Sequence, residues 1–98
     1  MKVLRIHALH WATEEDVIDD LLVALRAPRW HDHDFDALWD SLSANTVNGV
    51  RAPFEVVVVV RTFLPRTVEM FLARIDNMFH DLNSTGLDVK LSVQRPIV

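Results

Sequence analysis

The sequence predicts an α/β fold, a single small domain spanning residues 1–98. Its expected core is a three-stranded parallel sheet in the order 1-2-3, packed with about four helices. Three observations carry this expectation. Val56 to Val60 is an unbroken valine run, the composition of a strand buried on both faces. Apolar residues recur at helical spacing in long stretches on either side of that run. Crossovers of that length suit parallel pairing with right-handed connections rather than hairpins. Half of the 98 residues are apolar, enough for a core without disulfides, and the chain has no cysteine.

Val3 to Leu9 reads as the first strand. Thr13 then supplies a helix start, with Asp16 three residues later in the manner of a capping box. Val17, Ile18, Leu21, Leu22 and Leu25 form the apolar stripe of that helix. Glu14, Glu15 and Asp16 are first-turn carboxylates of the kind the helix dipole favours. Arg26 suits the C-terminal end of this helix, and Pro28 pushes Ala27 out of helical geometry and ends it. A second helix begins at Asp34, a good N-cap, and runs to Leu42. Residues 43–53 read as loop by composition. After the valine strand, Leu64 to Leu82 is helical, with Val68, Phe71, Leu72, Ile75, Met78, Phe79 and Leu82 on one side. Asn83 to Gly86 closes it, and Asp88 to Gln94 alternates as a half-exposed edge strand should.

Composition removes several classes of function. The formal charge is −4, from 14 carboxylates against 10 Lys plus Arg, which disfavours gripping phosphates and favours a basic partner. With only Gly49 and Gly86, no glycine-rich nucleotide loop can be built. Charges at Lys2 and Arg5 interrupt the N-terminus too early for a signal peptide, and no apolar run is long enough for a membrane helix. The expectation is a cytoplasmic protein, monomeric when free, that binds neither nucleic acid directly nor membrane.

One window stands out. Between Arg29 and Arg51 there is no Lys or Arg, while Asp32, Asp34, Asp36 and Asp40 fall within nine residues, among Trp30, His31, His33 and Trp39. On a helical wheel Phe35, Leu38 and Leu42 form a buried face. Asp36 and Asp40 share another, one turn apart, with Trp39 at its margin. Two like charges at this spacing cost a few tenths of a kcal/mol in an isolated helix, a term that a basic partner reverses. An acidic face edged by an aromatic anchor has the make-up of an interface hot spot. Alternating Asp32, Asp34 and Asp36 imitate a calcium loop, but Ala37 stands where the glycine is required and Ser43 where the closing glutamate is required. Two histidines one residue apart are a weak metal signal, and no nucleophile motif surrounds any serine. No catalytic residue, metal or cofactor is expected.

The segment with Pro28, Trp30 and then Asp34-Phe35-Asp36-Ala37-Leu38-Trp39-Asp40-Ser41-Leu42 resembles the one that defines the barstar family, intracellular inhibitors of the ribonuclease barnase. Asp36-Ala37-Leu38-Trp39-Asp40 is its specific part. Pro53, Phe79, Asp81 and the turn from Gly86 to Asp88 match the same pattern. The resemblance implies a basic ribonuclease as partner, occluded by the second helix and the loop before it. It places the residue matching Asp40 in the phosphate-binding site and the one matching Asp36 nearby, with Trp30 and Trp39 as aromatic contacts and Asp81 as a further acid. His31-Asp32 replaces a family tyrosine-glycine step, Asn45 replaces a tryptophan, and the following loop is about four residues longer. These changes lie at contact positions and bear on which nuclease is recognised. The window and the resemblance together nominate Trp30, His31, Asp32, Asp34, Asp36, Trp39, Asp40 and Asp81 as partner-binding residues. A regulatory or scaffold domain binding another basic protein through the same face is the second reading, and a metal- or ligand-binding enzyme fragment the third.

Overall fold

The computed structural model describes residues 1–95. Its elements run β1 (Lys2–His7), α1 (Glu14–Ala24), α2 (Phe35–Ala44), β2 (Phe54–Val59), α3 (Arg66–Ser84) and β3 (Val89–Gln94). The strands form one parallel sheet in the order β1-β2-β3. Leu4 pairs with Val56 and Val56 with Leu91, while Ile6 pairs with Val58 and Val58 with Val93. This register lines the apolar side chains of all three strands on one face. Val56, Val58 and Val60 belong to the core with Leu21, Leu25, Leu38, Ile75 and Phe79. Val57 and Val59 are also buried but lie outside that cluster, as alternation along a strand requires.

Three helices, not about four, occur among the described residues. The stretch after β2 forms a single helix of 19 residues, with no glycine or proline inside it to break it. Residues 45–53 add none. Instead they fold back on the end of α1, where Gly49 N–H donates to the Arg26 carbonyl and Val50 N–H to the Leu25 carbonyl. A Cβ on Gly49 would stand 2.8 Å from Arg26 Cβ, so the close approach requires glycine there.

The helix boundaries follow from their caps. Thr13 and Asp16 form the expected capping box, in which Asp16 N–H donates to Thr13 Oγ1 and the Asp16 carboxylate accepts from Thr13 N–H. The Ala12 N–H and the Thr13 N–H hold the Asp16 carboxyl below its ordinary value, the Ala12 bond being the larger cause. α1 ends at Ala24, two residues before Arg26, the last position that Pro28 leaves helical. Arg26 takes a left-handed conformation (φ 55°), and Ala27 N–H reaches the Leu22 carbonyl while Arg26 N–H reaches that of Val23. This pattern normally recruits glycine or asparagine, so the arginine, which suits a helix end by its charge, did not mark the left-handed turn. α2 runs two residues further than expected, to Ala44, and stops at left-handed Asn45. α3 closes through Gly86 (φ 102°), as expected.

Candidate functional site

Asp34 anchors the start of α2. Its Oδ1 accepts from Ala37 N–H at 2.7 Å, fixing where the helix begins and hence which side chains face out. Leu38 and Leu42 are buried and clamp α2 to the core, and the Phe35 ring meets Phe71 of α3 edge-on at 6.2 Å. Truncating Leu38 to Ala would cost about 2–5 kcal/mol, which measures how firmly this helix is held. With that face fixed inward, Asp36 and Asp40 are exposed together one turn apart, as the wheel requires. Trp39 sits at the boundary, partly buried and packed on the core.

The loop before α2 is held by its own contacts. His31 N–H donates to the Pro28 carbonyl at 3.0 Å, closing a turn that sets Trp30 outward, 74 % exposed. Asp32 is exposed. His33 Nδ1 joins the Asp19 carboxylate and ties the loop to α1. A groove of about 360 Å³ opens between loop and helix, lined by Trp30, His31, Asp32, Ala37, Asp40, Ser41, Ala44 and Val47. An indole, two carboxylates and the small apolar side chains of Ala37, Ala44 and Val47 thus converge within one cleft, a setting for a cationic or planar side chain.

His31 departs from the picture of a loop histidine offered to a partner. The residue is only 4 % exposed, with Nε2 2.8 Å from Ser41 Oγ and Nδ1 2.7 Å from the Asp32 carbonyl oxygen. It forms the floor of the groove, not its rim, because the loop turns inward immediately after Trp30. Asn48 Nδ2 donates to the same Ser41 hydroxyl oxygen at 3.2 Å, while its own carbonyl oxygen is buried with no hydrogen-bond partner among the described residues. The spacing of Ser41 and His31 is that of a nucleophile and its base, but the oxygen also faces Asn48 and the Leu38 carbonyl, and the contact knits loop to helix.

Two further features were not legible in the sequence. Arg74 of α3 lies with its guanidinium carbon 3.8 Å above the centre of the Phe35 ring. It shares a cleft with Glu14, Glu15, His33, Asp34 and Asp36. The gap in basic residues between Arg29 and Arg51 holds along the chain, but the fold brings the cation of Arg74 in from α3 beside the acidic window. The first-helix acids also border the window, so they do not stand apart from it. Asp81 is exposed on the last turn of α3, seven residues beyond Arg74 on the same side of the helix and roughly 10 Å further along its axis. Among the described residues no group of three or more His, Asp or Glu is placed to hold a metal, and no helix is long and apolar enough to cross a membrane.

The fold and the acidic groove define a small α/β protein of the barstar class. A family model described as Barstar (barnase inhibitor) matches residues 1–94, and the chain belongs to that family. A comparison with curated proteins finds no match. The family is one of inhibitors that bind a ribonuclease. The resemblance rested on residues in and around α2 and near the end of α3, and the parallel sheet was expected independently of it.

Proposed function

We propose that this protein inhibits a basic ribonuclease by inserting the acidic face of α2 and the loop before it into the enzyme's active site. The observation that carries this reading is the exposure of Asp36 and Asp40 on one side of a helix whose opposite side is clamped in the core, beside a groove walled by Trp30. A ribonuclease binds polyanionic RNA, so its active site concentrates positive charge. Two carboxylates one helical turn apart offer that site a rigid substitute for neighbouring phosphates. Asp40 fills the phosphate position, Asp36 and Asp32 engage basic residues around it, Trp30 and Trp39 supply apolar area, and Asp81 reaches the partner from α3. Asp34 contributes by capping α2, and His31 by supporting the groove. The protein acts as a monomeric, cytoplasmic immunity protein of one domain, protecting the cell that makes the nuclease.

The test is to map the surface. Isotope-labelled protein is titrated with barnase and with any basic ribonuclease found encoded beside its gene, and backbone amide shifts are followed. Shifts centred on 30–40 and on Asp81 support the reading. A complex whose shifts lie on the opposite side of the sheet, at Lys90 and Ser92, contradicts it. A stable complex with a basic protein that is not a nuclease would transfer the same surface to a regulatory role.

A further inference from the structure

The described residues contain three buried polar side chains, His31, Ser41 and Asn48, and all three meet in one hydrogen-bonded chain directly beneath the groove. Burying such groups is unfavourable unless each finds a partner, and an apolar core would avoid the cost. Their placement therefore needs a reason beyond packing. His31 joins the loop to the helix: Nδ1 faces the Asp32 carbonyl oxygen at 2.7 Å, and Nε2 faces Ser41 Oγ at 2.8 Å. A carbonyl oxygen can only accept, so the proton must sit on Nδ1; a bare Nδ1 would set two lone pairs against each other at that distance. With Nδ1 as the donor, neutral Nε2 accepts the Ser41 hydroxyl proton and Ser41 Oγ accepts from Asn48 Nδ2. Each of these contacts then has one proton. The Trp30 indole lies nearly parallel to the His31 ring, 15° between planes and 6.4 Å between centres, although it is otherwise exposed.

We propose that His31 is a positioning residue of the binding face: donating from Nδ1 to the Asp32 carbonyl and held at Nε2 by Ser41, it locks the 29–34 loop against α2, so that Trp30 and Asp32 flank Asp40 before any partner arrives. Its importance for binding rests on the ribonuclease reading; the lock itself belongs to the free protein. The physical benefit is pre-organisation. Ordering an interface side chain at the moment of binding costs about 0.5–1.5 kcal/mol, and a loop already ordered avoids that cost.

The experiment reads the free protein first. Long-range nitrogen–proton NMR spectra at about pH 8, above the usual imidazole range, report which ring nitrogen of His31 carries hydrogen. A protonated Nδ1 is expected, and a bare Nδ1 overturns the lock. His31→Phe then removes the hydrogen bonds without orphaning Ser41 or the Asn48 amide N–H, because the Ser41 hydroxyl turns to the Leu38 carbonyl at 3.2 Å and still accepts from Asn48. The exposed Asp32 carbonyl turns to water. In this variant backbone order parameters at Trp30 and Asp32 are expected to fall from about 0.85 to below about 0.6. Unchanged order parameters overturn the proposal. With barnase as the probe, His31→Phe should speed dissociation about tenfold and leave the salt dependence of association unchanged, since no charge is altered. Unchanged dissociation refutes the positioning role and spares the ribonuclease reading. Failure of the wild-type protein to bind any basic ribonuclease refutes that reading and leaves the NMR result to decide the lock.

Discussion

Replacing Asp40 with alanine should make the protein more stable and a worse inhibitor. Asp40 is exposed, in the second half of α2, and has no ion-pair or side-chain hydrogen-bond partner among the described residues. Three terms follow from that position. Its repulsion of Asp36 one turn earlier costs about 0.2–0.5 kcal/mol. Aspartate is a poorer helix former than alanine by up to about 0.7 kcal/mol. A carboxylate toward a helix C-terminus also opposes the dipole, though this last effect is small away from the final turn. The gain on substitution is then about 0.5–1 kcal/mol, or about 2–8 °C in melting temperature for a domain of this size. Binding should move the other way. Removing the carboxylate leaves the basic residues of a nuclease active site buried without a counter-ion, at a cost of about 2–5 kcal/mol. That is a loss of roughly thirtyfold to several thousandfold in affinity, mostly through faster dissociation. Urea unfolding and dissociation kinetics on the same preparation read both effects. A destabilised Asp40→Ala would show that the residue supports the fold, and undiminished inhibition would remove it from the site.

Asp36→Ala and Asp81→Ala should each weaken inhibition measurably, while Asp88→Ala, at an exposed position before β3, should not; equal inhibition constants for all three would mean that only net charge matters. Association with a basic nuclease should be fast at low salt and slow steeply as salt is added, because the Debye length falls from roughly 30 Å at 0.01 M to roughly 3 Å at 1 M. Replacing Asp32 and Asp34 with asparagine should flatten that dependence, and an asparagine in place of Asp34 can still cap α2. Arg74→Ala, which removes the one cation in the cleft beside Phe35, should raise the association rate; a lower rate would show that Arg74 assists the encounter. Since folding depresses the Asp16 carboxyl, its contribution to stability is present above the unfolded value of 3.8 and is lost as the pH falls through the lower folded value. Asp16→Asn should therefore lose stability at neutral pH and show a shallower decline below about pH 4 in denaturation scans, and an unchanged acid profile would refute the capping account.

What the sequence revealed was whatever is encoded locally. The 3.6-residue stripe of α1, the Thr13 and Asp34 caps and the valine strand are each set by neighbours in sequence, and the sheet order followed from which strand was the most apolar. The acidic face of α2 was legible for the same reason, since Leu38 and Leu42 fix which side turns inward. The arrangement around it was not. Arg74 reaches Phe35 across nearly forty positions of sequence, and Asn48 reaches Ser41 through a loop whose fold depends on Arg26 in a conformation arginine rarely adopts. His31 looked like a surface residue because its companions are charged. Only the turn closed on Pro28 reveals that the ring points inward.

The most direct test of inhibition is an activity titration of barnase, with any basic ribonuclease found encoded beside this gene alongside. The account predicts that activity falls linearly to near zero at one equivalent of this protein, and that Asp40→Ala shifts the titration to a large excess. Full ribonuclease activity in the presence of a tenfold excess of folded wild-type protein, with every enzyme tested, would contradict it.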